Sequence, residues 1–398
     1  MLAEIMLAAI GGIIAGCFTG LVPGVHVNLV SIILLGLSGF FLEFTEPVVL
    51  AVFIISMAVT HTILDAVPTI FLGAPDSDQV LNVLPGHRML LNGDGYGAVR
   101  LTVVGSLGGL WLAVLLTYPV VLFIEKIFPF LQRYMAYFLI FIVILLIFRD
   151  KERVWALALF FISGVLGLGV FGLNMKDPLL PLLSGLFGTS SLVLSIVNKI
   201  KLPKQRFRRL RVNNNILFKA IGSSVFAGGL VSLLPGVGSA QASIIASQIA
   251  GKIGDRGFLI LVGGVNTVNF VLSFVSLFVL NKARNGAIVV VSKLLEVLTL
   301  QNFILFIGVS LFVGGISAIL ALSLSRIFSK QIVKIKYSVL CFSIILFITL
   351  LVFIFSSWLG LLILLVSTMV GLIPPLVNCG RNHLMGCLIL PVILFFLL

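Results

Sequence analysis

Long apolar stretches, separated by short polar or charged segments, follow one another along the whole chain. They are continuously apolar and lack the alternation over about ten residues that marks the strands of membrane barrels. Most approach the roughly 20 residues that a helix needs to cross a bilayer. The pattern therefore predicts an all-α polytopic membrane protein with about ten transmembrane helices. The apolar runs lie at approximately 5–22, 25–42, 47–72, 99–124, 134–148, 154–173, 178–197, 216–234, 237–250, 257–280, 286–300, 302–325, 337–356, 358–375 and 384–398.

Two of the apolar regions are interrupted by a Pro-Gly pair, Pro23-Gly24 and Pro235-Gly236. Proline removes a backbone donor and clashes with the preceding turn, while glycine permits backbone angles that other residues avoid. In a bilayer, an opened backbone is tolerated only where it is buried in protein or lines a polar cavity. We predict a re-entrant or broken helix at each pair, with a simple helix kink as the alternative interpretation.

The segments around the two pairs resemble each other. Residues 16–31 (GCFTGLVPGVHVNLVS) align without gaps with residues 228–243 (GGLVSLLPGVGSAQAS). A weaker match between residues 92–99 and 281–289 follows in the same order. Related halves with broken helices are typical of secondary transporters, which bind their substrate at the interface between the repeats. The sequence thus predicts two pseudo-symmetric repeats, which we expect to be inverted.

A basic segment divides these halves. Residues 198–214 contain seven lysines and arginines and no acidic residue. Clustered positive charge beside apolar spans stays on the cytoplasmic side, so we expect a multi-pass protein of the cell membrane with residues 198–211 in the cytoplasm. We divide the chain into a first transmembrane repeat (1–197), this linker, and a second repeat with the C-terminal helices (215–398).

The composition excludes a water-soluble globular enzyme, because 60% of the residues are hydrophobic and only 10% are charged, against about 45–50% and 25% in soluble domains. The net charge of +13 would suit nucleic acid, but its clustering in the linker indicates membrane topology and contact with anionic lipid. No nucleotide-binding loop, catalytic triad or zinc-protease motif occurs in the sequence. We therefore predict neither an enzyme nor a nucleic-acid-binding protein.

Small polar residues follow both Pro-Gly pairs. A helix that begins after such a break presents unpaired N–H groups and the positive end of its dipole, which suits an anion. Amides inside an apolar span, and an arginine beside a glycine-rich segment, are further candidates, although helix–helix hydrogen bonding and interfacial snorkelling explain them equally well. The predicted substrate-binding residues are Pro23, Gly24, His26, Asn28, Arg88, Pro235, Gly236, Gly238, Ser239, Gln241, Asn266 and Asn269.

Four ionisable residues are candidates for ion coupling, because such groups are costly inside spans. His61 and Asp65 are spaced i, i+4 in an apolar run and share a helix face, so either can carry a coupling proton. A mutually satisfied structural pair is the alternative. Asp76 and Asp78 lie near the expected membrane boundary, where they hold Na⁺ or form a solvated turn.

Cys379, His383 and Cys387 are spaced i, i+4 and i+8. On a helix they would lie near one face and could bind Zn²⁺, but no fourth ligand is apparent. We predict no metal site. The four cysteines show no disulfide framework.

The Pro-Gly segments and the glycine-rich turns resemble the large membrane subunit of the tripartite tricarboxylate transporters. The resemblance is carried by residues 16–31, 73–78, 84–89, 234–238 and 263–269. It implies an anionic substrate, together with a small membrane subunit and an extracytoplasmic binding protein as partners. Membrane proteins that translocate polyprenyl phosphates are more distantly similar in their paired Pro-Gly hairpins, and they also imply an anionic substrate.

These features predict a secondary active transporter that moves a small organic anion, such as a di- or tricarboxylate, by alternating access coupled to H⁺ or Na⁺. The alternative is a translocase for polyprenyl phosphate, a phospholipid-like carrier whose head group would occupy the same anion site. A membrane scaffold or intramembrane enzyme is a third interpretation, disfavoured because no catalytic constellation is visible. We expect no cofactor beyond the coupling ion. The sequence is compatible with a homo-oligomer.

Overall fold

The computed structural model describes residues 1–22, 26–73, 81, 83–173, 175, 177–198, 202–207, 210–233, 238–283, 285–334 and 336–398, with the backbone alone at 83 and 84. These residues form helices with no strand among them, which confirms the all-α prediction. The helices are α1 (Leu2–Leu21), α2 (Val27–Gly36), α3 (Ser38–Phe41), α4 (Pro47–Leu64), α5 (Ala66–Leu72), α6 (Val83–Leu91), α7 (Gly95–Leu115), α8 (Thr117–Arg149), α9 (Arg153–Phe171), α10 (Leu179–Leu183), α11 (Ser190–Val197), α12 (Asn214–Ser232), α13 (Ser239–Ala250), α14 (Gly254–Leu280), α15 (Gly286–Leu295), α16 (Leu300–Gln331), α17 (Tyr337–Leu376) and α18 (Gly386–Leu397).

Ten helical segments among the described residues are long and apolar enough to cross a membrane, as the hydropathy pattern predicts. Two expected boundaries are wrong. The runs 99–124 and 134–148 predict a boundary between residues 124 and 134, but α7 ends at Leu115 and α8 begins at Thr117. Helix α8 then continues through the charged residues between the two runs. The runs 337–356 and 358–375 form one helix, α17, interrupted only by the non-helical backbone of Ser357.

Helices α4 and α14 form the centre of the molecule, and both are almost wholly buried. Glycines let their neighbours approach closely. A side chain at Gly16 of α1 would collide with the carbonyl of Met57 on α4, and one at Gly105 of α7 would collide with the carbonyl of Ile260 on α14. Close packing of this kind replaces the hydrophobic effect as the force that holds helices together in lipid.

The described helices end and begin again on either side of each Pro-Gly pair. Helix α1 ends at Leu21 and α2 begins at Val27, while α12 ends at Ser232 and α13 begins at Ser239. Pro23, Gly24, Pro235 and Gly236 themselves lie outside the described residues. The interruption predicted at each pair agrees with these helix bounds.

The basic linker is packed against the turn between α6 and α7. The Arg206 N–H donates to the Gly93 carbonyl at 2.7 Å, and the Gly95 N–H donates to Gln205 Oε1 at 2.9 Å. On the other half, Arg256 Nη1 donates to the Arg211 carbonyl at 2.9 Å. We call this end of the molecule the linker face.

Candidate functional site

The centre of the candidate site is a hydrogen-bonded contact between α4 and α14. Asp65, at the end of α4, and Asn266, in the middle of α14, are each 2% exposed. Asn266 Nδ2 donates to Asp65 Oδ2 at 2.8 Å and to the Thr62 carbonyl at 3.2 Å. A buried carboxylate in a membrane protein needs such donors. The contact therefore joins the two halves of the chain at two residues that the sequence singles out independently.

The start of α13 is attached to the same place. Ser239 Oγ donates to Asn266 Oδ1 at 3.4 Å, and Asn269 Nδ2 donates to Ser239 Oγ at 3.1 Å. Asn266 and Asn269 are three residues apart and therefore lie on the same side of α14. Both bond to the side chain of Ser239, the first residue of α13. Gln241 accepts from the Gly238 N–H at 3.0 Å, so its side chain caps its own helix.

The start of α2 reaches α4 one turn away, at His61. The rings of His26 and His61 pack edge to face, with centroids 5.1 Å apart. His26 Nδ1 accepts from the Asn28 N–H at 3.1 Å and caps α2. His61 is 3% exposed, and its Nδ1 bonds with Thr19 Oγ1 of α1 at 3.2 Å. The helix that follows each Pro-Gly pair thus begins beside the His61–Asp65 turn.

Asn28 joins α2 to a third helix start. Its Oδ1 accepts from the Ala287 N–H at 3.0 Å, in the first turn of α15. Asn285 accepts from the same N–H at 3.0 Å. The predicted substrate residue Asn28 therefore already satisfies a backbone donor of α15.

Hydroxyl groups that sequence reasoning missed surround this cluster. Thr62 and Thr267 approach each other at 3.5 Å between α4 and α14, and Ser317 of α16 donates to Thr60 Oγ1 at 2.9 Å. Serine and threonine are common in membrane helices, where they also bond their own backbone. In the sequence, Thr60 and Thr62 flank His61 and Thr267 follows Asn266, whereas nothing in the sequence marks Ser317.

The structure brings seven of the predicted residues into one connected region, which we call the central cluster: His26, Asn28, His61, Asp65, Ser239, Asn266 and Asn269. Gly238 and Gln241 adjoin it at the start of α13. Asp76 and Asp78, like both Pro-Gly pairs, lie outside the described residues. The central cluster combines a buried carboxylate, two imidazoles, three amides and one hydroxyl with two helix N-termini, which are groups of the kinds that bind anions and carry protons.

Arg88 lies elsewhere, at the linker face. Its Nη2 contacts Asp255 Oδ1 at 2.7 Å in a half-exposed ion pair between α6 and α14. Nearby, Nε2 of the buried His87 lies 2.6 Å from the Tyr337 hydroxyl. Burial lowers the pKa of His87 to about 4, so the ring is neutral at neutral pH, and the positive charge of Arg381 acts in the same direction.

The helical interpretation of Cys379, His383 and Cys387 is wrong. Cys379 precedes a short 3-10 turn, Arg381–Met385, that contains His383, and Cys387 lies beyond it in α18. The change from one turn type to the next removes the shared face that a single helix would give.

Comparison with known proteins identifies the class. The profile of the tripartite tricarboxylate transporter TctA family matches residues 6–386. An uncharacterized protein of Methanocaldococcus jannaschii is 29% identical, and the alignment covers 98% of this chain and 99% of that protein. No solved structure matches the chain significantly. The family match over nearly the whole chain confirms the resemblance seen in the sequence. The chain therefore belongs to the tripartite tricarboxylate transporter TctA family, as a membrane-embedded component of that class of transporter.

Proposed function

We propose that this chain is the subunit through which a small di- or tricarboxylate crosses the membrane. The observation that carries the proposal is the meeting of two helix starts, one from each half, beside the His61–Asp65 turn. The α2 start reaches it through the His26–His61 contact, and the α13 start through Ser239 and Asn266. Helix N-termini and amide donors favour a bound carboxylate in a site that excludes water.

Alternating access is the second element of the proposal, and the packing within each half supports it. Helix α1 follows α4 in the same direction, since Gly12 lies beside Phe53 and Gly20 beside His61. Helix α12 follows α14 in the same way, with Gly257 beside Ile216 and Gly228 beside Val268. Each half thus has a helix that runs along a central helix and ends near a Pro-Gly pair.

The central helices run in opposite directions relative to the linker face. Phe71, at the end of the α4–α5 segment, lies beside Gly95, and Gly95 bonds to the linker. Arg256, at the start of α14, bonds to the linker carbonyl of Arg211. We infer that the two hairpins, α1–α2 and α12–α13, enter from opposite faces, as inverted repeats that exchange outward and inward openings would require.

We propose that a proton is the coupling ion and that the His61–Asp65 turn carries it. The two side chains are one helical turn apart, and both lie within the central cluster. An anionic substrate bound beside them would change the free-energy cost of ionising either side chain. Proton binding and substrate binding would thereby be coupled. Na⁺ is the competing ion, and the uptake experiment distinguishes the two.

We further propose that the linker face is cytoplasmic and that the protein resides in the cell membrane. The excess of lysine and arginine in the linker supports this orientation. The tripartite organisation of the family supports a small membrane subunit and an extracytoplasmic binding protein as partners. The binding protein would dock at the face opposite the linker.

The test is uptake of labelled citrate and succinate into proteoliposomes containing the chain with its partner subunits. We expect uptake that an imposed proton gradient drives and an imposed Na⁺ gradient does not. Ser239→Ala should lower uptake at least about tenfold, the loss of about 1.4 kcal/mol of binding. Ser247→Ala is the matched control on the same helix, because its hydroxyl bonds only to the Ile244 carbonyl among the described residues.

His61→Gln separates coupling from binding. We expect it to abolish proton-driven uptake while substrate still protects the protein against thermal unfolding. Gradient-driven uptake that persists unchanged in His61→Gln would contradict the coupling role. Failure to transport or bind any carboxylate of a broad panel would contradict the substrate class.

A translocase for polyprenyl phosphate is the second candidate, and one cavity favours it. An apolar cavity of about 530 Å³ lies between α7, α8 and α12. Its volume is within the roughly 300–1,000 Å³ of ligand pockets, and its apolar lining suits part of a lipid tail. It extends to Leu233, just before the second Pro-Gly pair, and to Leu272 on α14. Binding of a polyprenyl phosphate in place of carboxylates would establish this alternative.

A further inference from the structure

We propose that Asp150, Cys379 and His383 form a binding site for Zn²⁺ or a chemically similar divalent cation. The three residues lie outside the central cluster, so the proposal stands independently of the transported substrate. The sequence offers Cys379 and His383 but misses Asp150, which is more than 200 positions earlier in the chain.

Two turns bring these side chains together. Asp150 follows the last residue of α8 and precedes α9. Cys379 comes after α17, where Asn378 takes a left-handed backbone conformation with φ of 54° and reverses the chain. His383 lies in the 3-10 turn before α18. Because α9 packs against α18, the turn after α8 lies directly beside the turn after α17.

The distances suit a single ion. His383 Nε2 is 2.9 Å from Asp150 Oδ2, and Cys379 Sγ is 3.7 Å from the same oxygen. The three ligand atoms all lie within 4.8 Å of one another. Zinc binds nitrogen, oxygen and sulfur at about 2.0–2.3 Å in tetrahedral geometry, which separates neighbouring ligand atoms by roughly 3.3–3.7 Å. Small side-chain movements therefore place all three around one ion.

The ligand types select the metal. An imidazole, a thiol and a carboxylate are the three side chains that zinc binds most often, whereas Ca²⁺ and Mg²⁺ require a set of oxygens. Binding breaks the S–H bond of Cys379 and forms a metal–sulfur bond, and the proton leaves to solvent. No electron is transferred, because zinc does not change its oxidation state.

The surroundings hold the ligands in place. The Gly380 N–H donates to Asp150 Oδ2 at 3.0 Å, and the Glu152 N–H donates to Asp150 Oδ1 at 3.0 Å. The His383 side chain is 1% exposed and that of Asp150 is 13% exposed. Hydrogen bonds that fix a ligating carboxylate are the outer shell expected of a metal site.

A cavity lies next to the proposed site. Its volume is about 570 Å³, and it is lined by Gly380, Arg381 and Asn382, the residues between Cys379 and His383. Arg88 and Asp255 line the same cavity, which places it at the linker face. Three protein ligands leave a fourth position for water. The bound ion would clamp the α8–α9 turn of the first half to the α17–α18 turn of the second.

The experiment uses the full-length protein in detergent, stripped of metal with a chelator and titrated with Co²⁺. We expect about one Co²⁺ per chain and a near-ultraviolet thiolate-to-cobalt absorption band that Zn²⁺ then abolishes. Cys379→Ala should lose the band. Cys341→Ala and Cys387→Ala are matched controls, because these two buried cysteines lie outside the three-residue group and should leave the band unchanged.

Asp150→Asn and His383→Gln should each weaken Co²⁺ binding at least about tenfold. A wild-type protein without the absorption band, or a Cys379→Ala protein that keeps it, would overturn the proposal and leave a purely hydrogen-bonded cluster. A second measurement avoids variants that fail to fold: Zn²⁺ should protect Cys379 of the wild-type chain from alkylation, as read by mass spectrometry. Equal alkylation with and without Zn²⁺ would also overturn it.

Discussion

Helices α14 and α17 are both apolar enough to cross a membrane, yet the structure uses them in opposite ways. In the most apolar part of each helix, 89% of α14 is buried and only 22% of α17. Asn266 and Asn269 of α14 use charged or polar side chains of other helices as partners. The side chains of α17 bond to other segments only through hydroxyls among their described contacts, at Tyr337, Ser356 and Thr368, while Thr349 bonds to the Ile345 carbonyl of its own helix. Apolar content therefore identifies a span, and side-chain amides that bond across helices mark the span at the centre.

The largest expected effect comes from overpacking α14. Gly105→Leu places a side chain against the Ile260 carbonyl, where backbone on both sides leaves no room. We expect a loss of about 3 kcal/mol or more, seen as aggregation on size-exclusion chromatography.

Gly308→Leu is the matched control for this change, because Gly308 lies on the exposed side of α16 with nothing within 4 Å of an added side chain. Equal damage from both variants would contradict the packing argument.

Although little of α17 is buried, its first residue, Tyr337, is buried and contacts His87. The pKa of His87 is about 4 in the folded protein, lowered first by burial, against about 6.5 in an unfolded chain. Because the folded protein keeps His87 neutral, its contribution to the free energy of unfolding is fully present above pH 6.5. This contribution falls by up to about 3 kcal/mol as the pH drops from 6.5 toward 4. The thermal midpoint of the wild type should therefore fall over this range.

His87→Gln removes the titrating ring and should flatten the pH dependence of the thermal midpoint between pH 6.5 and 4. Arg381, whose charge also faces His87, remains in this variant and does not titrate in the range. An unchanged slope in His87→Gln would assign the acid sensitivity to other groups.

Removal of one amide tests the interior of α14. Asn266→Ala takes a donor from the buried Asp65 carboxylate, and we expect a cost of about 1–3 kcal/mol, measured as a lower thermal midpoint at neutral pH. Asp65→Asn in the same background should restore part of the loss, because a neutral amide is cheaper to bury than an unpaired carboxylate. No recovery in the double variant would contradict this explanation.

The smallest effect is expected on the lipid-facing helix. Thr349→Ala of α17 removes a hydroxyl that bonds only within its helix among the described contacts, so stability should change by no more than about 0.5 kcal/mol. A loss as large as that of Asn266→Ala would remove the distinction between the two helices.

The sequence was sufficient for the helical class and for several members of the central cluster. Long apolar runs dictate helices in lipid because every backbone group must be satisfied within its own segment. His61, Asp65, Asn266 and Asn269 stand out because polar groups are costly there. Their pairing could not be predicted, since Asp65 and Asn266 are far apart in the chain and only the packing of α4 against α14 brings them together.

Other residues carried misleading signals. Arg88 is a candidate by charge, but the linker face gives it Asp255 as a partner. Asp150 follows Arg149 in a charged turn and is indistinguishable in sequence from an ordinary solvated loop residue. Cys387 fits a helical spacing that the 3-10 turn at Arg381–Met385 does not follow.

The linker is bonded to both halves of the chain. The Arg206 N–H donates to the Gly93 carbonyl of the first half, and the Arg211 carbonyl accepts from Arg256 at the start of α14 in the second half. Under the proposed alternating access, these bonds would oppose separation of the halves at the linker face. The gap between the halves would then widen more at the opposite face.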